Sequence, residues 1–273
     1  APRQIANAHT IFNIANTVIF IGSTTLIARF VEWLVPDRPL DKEALVRPRF
    51  LDEDLLRTPA LALDQVRLEI DHMGERVREM LSRIMPAILT GNAATLNEVR
   101  EIDESVDVLH AEIVTYLGKI SGRELMPKQT DEFLRLMDAA NDLENIGDVI
   151  ETNLVELGLG RIDKGVSISE PTQKVLNGFH DVVSRAVEKA IYAVSDNDAD
   201  AAKSVAGMKQ EIKTIAGSAA LHEAKRLVVD EPHRIEAYTI EMDIAEKLQR
   251  IYFFARRMAR TVKPKKVEAP QEE

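Results

Sequence analysis

Two stretches of this chain set acids four residues apart, Asp103-Glu-Ser-Val-Asp107 and Glu144-Asn-Ile-Gly-Asp148. On a helix that spacing stacks two carboxylates one turn apart on one face. Like charges so placed repel, and only a cation between them turns the arrangement into a gain. Clustered carboxylates in a chain without cysteine suit hard, oxygen-seeking cations: magnesium, manganese, calcium or iron. The competing account is a solvated acidic rim. The reading carried forward is one multinuclear or exchangeable metal site held by Asp103, Asp107, Glu144 and Asp148.

Helices must position these acids. Around the first pair the apolar residues run Ile102, Val106, Leu109, Ile113, Tyr116 and Ile120; around the second, Leu136, Ala140, Leu143, Gly147, Ile150 and Leu154. Steps of three and four mark the buried seam of a bundle helix. If the two helices lie side by side and antiparallel, all four acids converge on one rim. Di-iron oxidation needs a Glu-x-x-His pair on facing helices. None stands in register with the acids, although His110 lies one turn beyond Asp107. With no phosphate loop, no dinucleotide turn and no nucleophile beside a base, the chain reads as a binding module and not an enzyme.

The 273 residues suffice for one large or two medium domains. Sparse Gly and Pro and the lack of strand-like alternation give an all-α class. A net charge of −10 argues against nucleic acid as a partner. Residues 98–156 hold 15 acids against 5 bases, and residues 203–266 hold 14 bases against 8 acids. The basic end includes Arg250, Arg256, Arg257 and Arg260, open to an anionic partner or simply favoured by the helix dipole.

From Ile5 to Ala28 no Asp, Glu, Lys or Arg occurs, a length able to cross a bilayer. Residues 1–35 are therefore expected to hold a transmembrane helix, the last of a truncated transporter. The bases that follow it place residues after about 35 in the cytoplasm, at the cell inner membrane. His9 and Asn13, one turn apart there, either touch a permeating substrate or bond between helices. Residues 36–57 read as a linker, 58–158 and 169–262 as two three-helix bundles, and 263–273 as a charged tail. Helices are predicted at about 58–89, 93–120, 130–158, 170–197, 198–230 and 233–262, with a Gly-rich link after Gly158.

The bundles repeat one another. Met137-Asp138-x-Ala140-x-x-Leu143-x-x-Ile146 recurs as Met242-Asp243-x-Ala245-x-x-Leu248-x-x-Ile251. Core positions persist and the acids do not. Lys209 and Lys213 stand where Asp103 and Asp107 do, Gln249 and Phe253 where Glu144 and Asp148 do.

With Leu143 ahead of Glu144-Asn-Ile-Gly-Asp148 and the Asp103/Asp107 pair one helix earlier, residues 58–262 resemble the phosphate-uptake regulator (PhoU) family. The resemblance implies tandem three-helix bundles whose E/D-x-x-x-D motifs bind iron-type metal clusters, one cluster at most in this chain. Arg3-x-x-Ala6-x-Ala8-His9-x-x-Phe12-Asn13 resembles the end of the membrane part of bacterial sodium/phosphate cotransporters. That resemblance implies a cytoplasmic regulatory domain of a sodium-dependent phosphate transporter. Its partners would be the transporter's membrane domain, sodium and inorganic phosphate, with homodimerisation left open. The fragment alone is not expected to transport, since the Gln-Ser-Ser substrate motifs are missing. The alternative is a free-standing soluble phosphate-signalling regulator that binds metal and partners.

Overall fold

A computed structural model describes residues 46–227 and 233–262, together with Phe12, Thr17 and Phe20. Contacts divide the chain into two units, Ala1–Ala44 and Leu45–Glu273. The described residues of the second unit are mostly helical, apart from residues 46–52 and the short connections between helices.

Helix α1 (Pro59–Thr90) starts with Pro59 in its first turn, where a missing N–H costs nothing. Thr58 precedes it without a side-chain cap. Gly91 ends α1 in the left-handed region at φ 73°, its N–H bonded to the Ala87 carbonyl. Asn92 then caps α2 (Ala93–Ser121), its side chain accepting from the Thr95 N–H. Helix α3 (Pro127–Asp148) begins three residues before the predicted Thr130, because Pro127 serves as its first residue and Gln129 reaches back to the Met126 N–H.

The rod does not stop near Gly158. A π-helical stretch (Val149–Val155) follows α3 directly, and α4 (Glu156–Asp163) continues from it. Gly158 is part of this helix because it packs against α2 and α1. A β-carbon there would lie 2.8 Å from Leu96 Cδ1 and 3.1 Å from Ile88 Cγ1. The glycine that read as a link is a close approach.

Ser169 caps α5 (Glu170–Ser195) and Asp198 caps α6 (Ala199–Gly207). The single helix predicted from 198 is broken at Met208, and α7 (Lys209–Arg226) follows. Helix α8 (Arg234–Ala259) completes the set. Helices α1, α2 and α3 pack on one another, as do α5, α8 and the shorter pair α6 and α7; α1 against α5 and α3 against α8 join the two groups. One continuous apolar core, from Leu63 and Ile70 through Leu109 and Phe179 to Leu248 and Met258, runs through both. At the α1–α5 contact, Gly74 lies so near Ile191 that a β-carbon would sit 2.7 Å from Cγ2.

Residues before α1 are tied to it. The buried Glu69 accepts from the N–H groups of Arg49 (2.9 Å) and Phe50 (2.7 Å) through Oε2, while Oε1 lies 2.6 Å from His72 Nδ1.

The expected inner-membrane placement is corrected. No helix among the described residues is long and apolar enough to cross a membrane. Each long helix carries charge on its outer face and buries only a stripe, the pattern of a bundle packed on itself. The apolar segment 5–28, with His9 and Asn13, and the charged tail 263–273 lie outside the described residues apart from Phe12, Thr17 and Phe20.

Candidate metal centre

Helices α2 and α3 pack antiparallel, and rungs of contact between them can be followed in order. Arg100 Nε donates to Glu151 Oε1 at 2.9 Å, Asp103 lies against Gly147, and His110 Nε2 lies 2.9 Å from Asn141 Oδ1. Asp107 stands between these last two on α2, and Glu144 between Asn141 and Gly147 on α3. The acids therefore face one another across the helix pair.

Three of the four predicted acids converge. Asp103, Asp107 and Asp148 each offer a carboxylate oxygen, and these oxygens all lie within 4.8 Å of one another. Glu144 stays outside this trio. Its charge still belongs to the same field: burial first, then Asp148 and Asp107, raise its pKa, with His110 opposing.

The members differ in exposure. Asp103 is only 6 % exposed, and its Oδ1 has no hydrogen-bond partner. Desolvation, followed by repulsion from Asp107 and Asp148, pushes its pKa up to about 7. Asp107, at the open side, is raised by the same two causes in the same order, burial and then Asp148, while His110 pulls it down. A buried anionic oxygen without a partner is costly, and a cation bound by the trio would supply what Asp103 Oδ1 lacks.

Gly147 makes the arrangement sterically feasible. A β-carbon there would lie 2.6 Å from Asp103 Oδ1. The π-helical stretch begins right after Asp148, and such turns occur often at functional sites. Arg100 bounds the acidic row at one end, holding Glu151 and Glu156. His110, hydrogen-bonded to Asn141, bounds it at the other.

Gly147, Glu151, Arg100 and Asn141 were not among the predicted site residues. Only Gly147 carried a sequence signal, a glycine in mid-helix one residue before an acid of the motif, and it read as a core position. In the second bundle Lys209, Lys213, Gln249 and Phe253 are all exposed. Among the described residues no second cluster of three metal-ligating side chains occurs.

The donor set fits a hard cation. Carboxylate oxygens on both helices, a buried unpartnered oxygen and a glycine cradle are what such an ion requires. Residues 70–154 match the PhoU domain family. This stretch is similar to PhoU domains. It holds all four acids and runs from within α1 through most of the π-helical stretch.

The matched stretch sits in a chain similar to longer proteins. Over 243 residues the chain is 21% identical to the putative inorganic phosphate export protein YjbB of Salmonella typhimurium, covering 89% of this chain and 44% of that protein. The YjbB protein of Escherichia coli K12 is 20% identical with the same coverage. The chain thus spans less than half the length of these relatives. Crystal structures of PhoU show the same fold. PhoU from Pseudomonas aeruginosa superposes with a TM-score of 0.68 at 22% identity, covering 73% of this chain and 94% of that one. The phosphate transport system regulatory protein PhoU from Streptococcus pneumoniae gives 0.66 at 15% identity, covering 75% and 95%. The fold is all-helical and PhoU-like.

Proposed function

We propose that this chain is a phosphate-signalling regulator whose PhoU domain binds a metal at Asp103, Asp107 and Asp148. One observation carries the reading: a buried Asp103 oxygen without a partner, inside a three-carboxylate cluster, in a matched PhoU domain. A bound cation supplies positive charge there, relieving repulsion among the acids and cross-linking α2 to α3. Glu144 adds negative charge to the same field without belonging to the trio. The protein's own part is to hold these oxygens, exclude water from Asp103 and present a partner with an α2–α3 surface whose charge depends on occupancy. The role we propose is regulatory.

Metal analysis of the purified chain, beside Asp103→Asn and Asp148→Asn, tests this. Magnesium, manganese, calcium or iron at stoichiometric level in the unaltered chain and lost in both variants is expected. No binding of any of these ions would sink the reading.

A second reading rests on the relatives. Their names connect them with phosphate export, and this chain aligns with under half of each. We propose on that ground that the module regulates phosphate movement by a larger protein. Sodium dependence is the finer form of this proposal. Phosphate flux in cells carrying the full-length protein, with and without sodium and with Asp103→Asn, decides it; flux indifferent to both removes it.

A further inference from the structure

Beside the carboxylate cluster, between α3 and α8, lies a cleft of about 520 Å³ lined by Arg135, Asp138, Asn141, Arg257, Arg260 and Thr261. Three guanidinium groups converge on it without a lysine. Arg257 is anchored before any ligand arrives: its Nε and Nη2 reach the fully buried Asp142, and its Cζ sits 5.1 Å from the centre of the Phe254 ring. Those contacts do not involve Nη1, and Arg257 lines the cleft. Arg135 Nε donates to the Asp131 carbonyl at 3.2 Å, and its side chain lines the cleft. Asn141 Oδ1 is engaged by His110, so its Nδ2 remains a donor.

Planar guanidinium forks match tetrahedral oxyanions bidentately, and fixing an arginine beforehand lowers the ordering cost of binding. The cleft also contains an acid that a simple anion would not tolerate. Asp142 is paired with Arg257, but Asp138 is exposed in the same cleft. A carboxylate there repels a fully ionised anion and accepts a hydrogen bond from one that keeps a proton. Sulfate keeps none at neutral pH; hydrogen phosphate does.

We infer that the cleft between α3 and α8 binds hydrogen phosphate, with Arg135, Arg257, Arg260 and Asn141 donating to its oxygens and Asp138 accepting from its P–OH. The site stands on residues outside the carboxylate cluster and goes beyond the metal reading. Asn141 touches both places, since it faces the cleft and pairs with His110 at the end of the acidic row.

Titration calorimetry of the metal-stripped chain with inorganic phosphate, and with sulfate in parallel, tests it. Saturable phosphate binding in the micromolar-to-millimolar range is expected, with sulfate about tenfold weaker, because a site built to pair with a hydroxyl discriminates against an analogue lacking it. Arg260→Gln, at an exposed side chain, is expected to weaken phosphate about tenfold. Asp138→Asn, also exposed, is expected to bring phosphate and sulfate within about threefold of each other. Circular dichroism confirms that both variants stay helical.

Absence of saturable phosphate binding overturns the inference, as does sulfate binding as tightly as phosphate to the unaltered chain. So does phosphate affinity that is unchanged in Arg260→Gln and lost in Asp103→Asn, which assigns the anion to the acidic cluster. Because the titration is run without metal, a failure here leaves the metal reading standing, and a failure of the metal reading leaves this one intact.

Discussion

The Asp103 carboxylate occupies the space where a side chain on Gly147 would be: a β-carbon on that glycine would lie 2.6 Å from Asp103 Oδ1 and 3.3 Å from Val106 Cγ1. Two helices can therefore bring a buried acid against a backbone only because the motif reads Ile-Gly-Asp at 146–148. Gly147→Ala is expected to push Asp103 out of line with Asp107 and Asp148. Metal affinity should fall by about tenfold or more, while stability changes by about 1 kcal/mol or less, because the Asp103 carboxylate end can swing away and alanine favours the helix by about 1 kcal/mol over glycine. A metal titration and a thermal melt read the two effects. Unchanged metal affinity in a folded variant would separate Gly147 from the site.

Without metal, the acids make the protein prefer acid. Asp103 has a pKa of about 7 in the folded chain against 3.8 when free. The folded state thus holds more protons than the unfolded one between those values. Stability from this group is greatest at low pH and falls as pH rises toward 7, by about 1.4 kcal/mol per unit at most and about 4 kcal/mol over the window. Asp107 and Glu144, raised for the same reasons, act in the same direction. Urea melts of the metal-free chain across this range should show the slope, Asp103→Asn should flatten it, and saturating metal should flatten it too. A stability that rises through this window and is indifferent to Asp103→Asn would contradict the burial argument.

Far from the cluster, the buried Arg234 Nη2 donates to Glu223 Oε2 at 2.7 Å and to Glu241 Oε2 at 2.8 Å. One guanidinium thus holds two buried acids on different helices, and burial together with the neighbouring Glu223 pushes the Glu241 carboxyl up to about 8, so the two share a single proton at neutral pH. Removing it leaves the one negative charge that the pair carries at neutral pH buried without a counter-ion, so Arg234→Met is expected to cost about 3–5 kcal/mol. Adding Glu223→Gln, which removes the remaining charge, should recover part of that loss. Denaturant midpoints of the single and double variants measure it, and a loss that the second substitution deepens would speak against charge compensation.

Glu69 ties the segment before α1 to the bundle through two backbone N–H groups. Glu69→Ala is expected to free residues around Arg49 and Phe50 while the bundle persists. It also strands His72, at a cost of about 2–4 kcal/mol for breaking a buried network. Limited proteolysis followed by mass spectrometry should find new cleavage near Arg47 and Arg49. An unaltered digest would show that the segment is held by the apolar contacts of Val46, Leu51 and Leu56 instead.

Much of this molecule was legible before any coordinates. Steps of three and four among Ile102, Val106, Leu109 and Ile113 specify which face of α2 is buried, because helix geometry converts spacing directly into direction. Asn92, Ser169 and Asp198 announce helix starts, since each cap acts on backbone groups two or three residues away. Both acid pairs were visible for the same local reason, and the all-helical PhoU-like scaffold followed from these patterns and the motif.

Other features depend on contacts between residues distant in sequence. Gly158 read as a link and is buried in a helix, because its neighbours Leu96 and Ile88 come from other helices. That Asp148 joins Asp103 and Asp107 while Glu144 stands aside is set by how α2 and α3 cross. Membrane placement was read from the composition of residues 5–28, and the described helices contain no span to support it. Spacing along one helix determined which acids share a face; only packing decided which of their oxygens meet, because distance across a helix pair depends on crossing angle and on small residues such as Gly147.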